Sequence, residues 1–194
     1  MRSNRPDIRP ELGLRRVINV SGTMTSLGAS IVVPEAVERV SRILGEFVEI
    51  GDLHRKASVV IATACAAEAG TITASASAGI TLAVAGAMTG ADLARIERLP
   101  DTAGLERDEV AIQTGHMVHY GAPVEQALRL AGGVVRPVGT ATYARPYHLE
   151  GVLGPRTAAA VYVVSHHAVG FGQIPLGEFC SVCRAHGVPV IVDA

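Results

Sequence analysis

The pattern of apolar and polar positions changes character about a third of the way along the chain. Residues 1–30 show no sustained period and are punctuated by Pro6, Pro10, Gly13, Gly22 and Gly28, which reads as an irregular N-terminal arm. Pro34 then opens a helical pattern over residues 34–50. There Val37, Val40, Ile43, Leu44 and Phe47 fall on one face, and proline suits a first helical turn. A second helix is expected over residues 53–67. From Gly70 onward, short apolar runs alternate with helical stretches. Strands are expected at 70–75 (GTITAS), 109–114, 134–138, 158–165 and 188–194, and helices at 78–88, 123–133 and 176–187. Pro137 weakens the 134–138 strand and directs it toward a sheet edge, because proline cannot donate to a ladder. The final strand, VPVIVDA, reads as buried. Strands nearly continuous in Val, Ile and Ala, separated by helices, imply an α/β fold: a three-layer αβα sandwich around a mainly parallel sheet. No repeat or linker divides the stretch from residue 31 to 194, so it reads as one domain.

Composition narrows the function classes. Hydrophobic residues make up 48% of the 194 positions and charged residues 18%, so a packed core is expected and wholesale disorder is not. Trp is absent, and the core must come from aliphatic side chains. The net charge is −1 with no basic block, which argues against nucleic acid as a partner. The most apolar stretch, residues 74–88, is interrupted by Ser75, Ser77, Gly79, Thr81 and Gly86, so no membrane partner is expected. Cys65, Cys180 and Cys183 do not suggest a disulfide framework, which fits a cytoplasmic setting.

Candidate chemistry follows from a geometric rule: ligands of open α/β sheets bind beyond the carboxyl ends of the strands. After the expected 70–75 strand come Ser75-Ala76-Ser77-Ala78-Gly79 and a helix. Small side chains, two hydroxyls and a helix N-terminus make a phosphate cradle; tight helix–strand packing is the alternative explanation of the same residues. Gly115-His116 follow the next strand, with His119 and Tyr120 close behind, and a solvated loop is the alternative for them. Ser165-His166-His167 follow the 158–165 strand. Adjacent histidines point different ways, so a hydrogen-bonding role is expected rather than a metal pair. Asp193 closes VPVIVDA, where a carboxylate needs either a cationic ligand group or loop N–H groups. Ser77, His116, His166 and Asp193 are expected to gather at one end of the sheet. Gly170-Phe171-Gly172 begins like a dinucleotide fingerprint but has Pro175 in place of its last glycine. Cys180, Cys183 and His186 have metal-like spacing but lie on an amphipathic helix. They read as packing, at least one cysteine against the sheet, and no metal is expected.

In combination these stretches resemble a known family. RRVINVSGTMTSLGAS, TASASAGITLAVAGAM, QTGHMVHYG and GVPVIVDA, in that order from about Arg16 to Ala194, are similar to fold-type I pyridoxal-phosphate enzymes of the selenocysteine-synthase-like group. Within the group the chain resembles the branch of D-glucosaminate-6-phosphate ammonia-lyase. The selenium-transferase branch, the alternative, carries H-T-N-L-G-R where this chain has Thr25 to Ser30. The resemblance implies the large domain of a fold-type I enzyme and pyridoxal 5'-phosphate as cofactor. It implies an amino acid or amino-sugar acid substrate, α-proton abstraction, β-elimination and ammonia release, and a homo-oligomer. By the same resemblance Ser75, Ser77, Ala78 and Gly79 hold the cofactor phosphate and His116 stacks on the pyridine ring. Asp193 pairs with the pyridinium nitrogen, and Ser165 and His166 lie near the cofactor. The family's Schiff-base lysine lies beyond the position of Asp193, and the single lysine here, Lys56, falls in an expected helix. The resemblance therefore implies the N-terminal part of a longer enzyme, inactive alone. A non-catalytic fragment or pseudoenzyme is the rival from another class.

Overall fold

The computed structural model describes residues 7–119 and 121–194. It divides into two compact units, the first ending at Arg55 and the second spanning Lys56–Ala194. Tyr120 and the first residues of the expected arm lie outside the described residues.

In the first unit, helix α1 spans Pro34–Ile43, with Pro34 at its start and Glu35 in its first turn, where a negative charge suits the helix dipole. Its apolar positions remain open to solvent, Val40 at 53% and Ile43 at 40% exposure. Helix α2, Ile50–Cys65, runs from this unit into the second.

The second unit holds a four-stranded sheet of β1 (Glu109–Gln113), β2 (Val134–Val138), β3 (Thr157–Val163) and β4 (Val190–Asp193). The spatial order is β2-β1-β3-β4 and all three pairings are parallel. Helices α3 (Ala76–Thr89) and α5 (Val124–Leu130) cover one face. Ile80, Val84, Met88, Ala127 and Leu128 pack there on Val110, Ile112, Val161 and Val163. Helices α6 (Pro146–Glu150) and α7 (Leu176–Ala185) cover the other, where Leu149, Phe179 and Cys183 meet Ala111, Val138 and Ala160. Alternating strand residues thus feed two separate cores, the three-layer arrangement expected of continuous Val/Ile/Ala strands. The short α4 (Leu93–Arg98), capped by Asp92, completes the unit.

Pro137 sits in the edge strand β2, opposite Ile112, where its missing N–H costs the ladder nothing. Cys183 is fully buried in the second core. Three expectations fail. The helix expected over residues 34–50 ends at Ile43, and Phe47 lies in the connection to α2, where Gly45 interrupts the helical run. Residues 70–75 form no strand, because a strand exists only through a partner, and here the main chain turns to side chains instead. Gly70 N–H donates to Ser58 Oγ and Thr73 Oγ1 donates to the Ser75 carbonyl. β4 forms as expected but is not buried: it is the outer strand among the described residues, and Val192 is 44% exposed.

Candidate functional site

A parallel sheet delivers all its carboxyl ends to one edge. Thr114–His116 leaves β1 in a single helical turn, Ser165–His167 follow β3, and Asp193 is the last residue of β4. The direction of α3 places the Ser75–Gly79 turn at the same edge. α5 starts after β1 and ends just before β2, so it runs from the carboxyl edge to the amino edge. Thr81 of α3 donates to the Ala127 carbonyl in mid-α5 at 2.9 Å, and Val84 lies against Gly133 at the start of β2. α3 therefore runs alongside α5 in the same sense, with Ser75 and Ser77 toward the carboxyl edge.

Ser75 is the N-cap of α3: its Oγ accepts from Ala78 N–H at 3.1 Å and its carbonyl from Gly79 N–H. Helix geometry leaves the N–H groups of Ala76 and Ser77 directed out of the terminus. Packing does not demand a glycine at 79, since a Cβ there would meet only Thr73 Oγ1, at an ordinary 3.5 Å.

His116 is buried, with 2% of its surface exposed. Its Nδ1 accepts from the Val163 main-chain N–H at 3.2 Å, and Val163 stands in register with Asp193 across β3 and β4. The other ring nitrogen lies 3.4 Å from the Gln113 amide nitrogen. The ring meets Tyr162 edge-on, with centroids 4.4 Å apart. Burial pulls its pKa below the ordinary histidine value.

Ser165 is half-buried and accepts from the His167 N–H at 3.2 Å. The rings of His166 and His167 lie 3.9 Å apart and are exposed. Asp193 is half-buried, and its carbonyl accepts from Val164 N–H at 2.7 Å. His119 is exposed, as is Lys56 on α2.

Sequence reasoning missed the residues that hold the loops of this edge. Gln113 is fully buried; its Oε1 accepts from Ile174 N–H at 2.7 Å and its Nε2 faces the Ile174 carbonyl at 3.4 Å. Gln173 Nε2 donates to the Ala141 carbonyl at 3.0 Å, while its buried Oε1 has no partner among the described residues. Gly115 lets these segments close, since a Cβ there would stand 2.6 Å from the Ala141 carbonyl oxygen. Gly172, the end of the failed dinucleotide motif, has φ +70° and accepts from Ala144 N–H and from Arg145. A glutamine among apolar strand residues was the available signal for Gln113; nothing local marks Gln173.

No family model matches the chain. Among curated proteins it is 43% identical over 189 residues to D-glucosaminate-6-phosphate ammonia lyase of Salmonella typhimurium, covering 97% of this chain and 51% of that protein. It is 35% identical over 185 residues to 5'-C-glycyluridine monooxygenase-decarboxylase of a Streptomyces species, covering 94% of this chain and 46% of that one. A solved structure of D-glucosaminate-6-phosphate ammonia-lyase superimposes with a TM-score of 0.93, at 43% identity, over 97% of this chain and 51% of that chain. The chain thus spans about half the length of the curated relatives it matches.

Proposed function

We propose that this chain supplies the cofactor-phosphate and ring-nitrogen contacts of a pyridoxal-phosphate-dependent lyase acting on an amino-sugar acid. The observation that carries the reading is the shared edge: the N-terminal turn of the 14-residue α3 and the carboxylate of β4 open on the same side of one parallel sheet. The residues present fit the group. Main-chain N–H groups at Ala76 and Ser77, with the Ser77 hydroxyl, would hold a phosphate, and Ala78 and Gly79 let it approach the backbone. The glycine that packing does not require supports this over a purely structural account.

When bound, pyridoxal phosphate supplies an electron sink for negative charge developing beside the substrate amine. Asp193 would hold the proton on the ring nitrogen that makes the sink effective. His116, kept neutral by burial and tied to Val163, would wall the site on the β1 side, and Ser165 and His166 would offer hydrogen bonds from the β3 loop. The overall reaction would be proton removal alpha to the amine and elimination at the β carbon, as the family resemblance implies, with release of ammonia, which the relative's name states. The second relative is named for a monooxygenase-decarboxylase, so the shared half is best read as the common cofactor platform. The exposed apolar side chains of the first unit support a homo-oligomer, and three free cysteines support a reducing, cytoplasmic setting.

The test is titration of the chain with pyridoxal phosphate, followed by cofactor absorbance. Saturable binding is expected, weakened about tenfold by Asp193→Ala and by Ser77→Ala. Binding that is absent, or indifferent to both substitutions, refutes the reading.

A further inference from the structure

Half of the described arginines, those at 9, 55, 95, 98, 129, 136 and 156, pair with carboxylates. Arg145 has no carboxylate partner among the described residues, yet its guanidinium is fixed. Nη1 donates to the Ala144 carbonyl at 2.9 Å and to the Gly172 carbonyl at 3.1 Å. Its Cζ stands 4.5 Å from the centre of the Tyr143 ring. Fixing one nitrogen and one face leaves Nε–H and the Nη2 protons as a fork with no acceptor among the described residues.

The neighbours are donors too. His148 Nδ1 accepts from the Arg145 N–H at 3.0 Å, so in the neutral ring the proton is on Nε2. The His148 ring lies against Tyr147, centroids 4.1 Å apart, and edge-on to Tyr143 at 5.6 Å. Tyr143 beside it raises the Tyr147 phenol above its ordinary pKa, so both phenols keep their protons at neutral pH and can donate. The segment carrying these groups follows β2 and is docked on the 172–174 loop, so it belongs to the carboxyl edge of the sheet.

We propose that Arg145, Tyr143, Tyr147 and His148 form an oxyanion subsite, taking the phosphate ester or carboxylate of a substrate whose reacting end lies at the strand ends. The chemistry is a planar guanidinium fork, already immobilised, with phenol and imidazole donors around it. That the anion belongs to a substrate rests on the lyase reading; that the cluster binds an oxyanion does not.

The chain has no tryptophan, and two of its four tyrosines, Tyr143 and Tyr147, lie in this cluster, so an emission change that is lost in the cluster variants reports on it. Inorganic phosphate and, separately, acetate are titrated into the chain. A saturable change in emission is expected, weakened about tenfold in Arg145→Gln and a few-fold in Tyr143→Phe, which keeps the ring under the guanidinium. Arg145→Lys, retaining charge without the fork, should fall between. Phosphate binding much tighter than acetate identifies a phosphate ester as the natural group; equal binding identifies a carboxylate. Far-UV circular dichroism checks that Arg145→Gln folds, and Tyr143→Phe reads the site if it does not. Titrations unchanged by both Arg145→Gln and Tyr143→Phe overturn the proposal. So does a signal lost in Ser77→Ala instead, which would put the anion at α3. Pyridoxal phosphate binding is scored separately through Asp193→Ala, so either idea can fail alone.

Discussion

The main-chain N–H of Val163 donates to Nδ1 of His116 across 3.2 Å, so a side chain from the loop after β1 closes the last rung of β3. The register of β1 with β3 ends at Ile112 and Val161, and His116 takes over where the ladder stops. A loop histidine is thereby part of the sheet.

His116→Ala should leave the Val163 N–H buried without an acceptor and cost about 2 kcal/mol, read from urea unfolding. Because burial lowers the His116 pKa in the folded chain, the unfolded chain binds the extra proton more readily. Stability should therefore fall as pH drops below about 6.5, toward the lower folded value. His116→Gln should flatten that part of the profile; an unchanged acid limb would show that His116 is not its source.

Two glycines should respond in opposite ways to alanine. At Gly172 a Cβ would stand 2.0 Å from the Thr142 carbonyl oxygen, at φ +70°, so Gly172→Ala should cost several kcal/mol, roughly 3, and loosen the Arg145 loop. At Gly177, inside α7, a Cβ meets nothing within 4 Å, and Gly177→Ala should stabilise by about 0.5–1 kcal/mol. Thermal midpoints moving in the same direction would contradict this account.

Burial pushes the Cys183 thiol up to about 12, while Cys65 is exposed. Iodoacetamide at neutral pH should label Cys65 and leave Cys183 unmodified until denaturant is added, by peptide mapping. The unfolded thiol ionises near its ordinary value and the folded one does not. Cys183 should therefore weaken stability as pH rises above about 9. Rapid native labelling of Cys183 would show that α7 does not seal it.

Ile31 and Phe47, at 98% and 108% exposure, stand among many open apolar side chains of the first unit. The chain alone should sediment as larger species at micromolar concentration, and Phe47→Ser with Ile31→Ser should shift it toward monomer. Identical sedimentation of the double variant would place the sticky surface elsewhere.

The sequence was most readable where several residues voted together. The apolar runs of β1 and β3, the glycine stop after α5 and the 3.6-residue period of α7 each predict an element that forms. Pro137 announced an edge because its missing N–H is a local property. Helices α4 and α6, with six and five residues, are too short to show a period, and neither was expected. GTITAS has strand composition, but composition cannot supply a neighbouring strand.

By itself, then, the sequence determined the α/β class, the parallel sheet and the loops that leave its strands, because side-chain period and turn chemistry act within a few residues. Only the tertiary structure decided that His116 is buried against Tyr162, that Gln113 holds Ile174, and that Gly172 anchors a stacked Arg145. Those outcomes join groups 27 to 61 residues apart, and no local pattern encodes which distant carbonyl or N–H a side chain will meet.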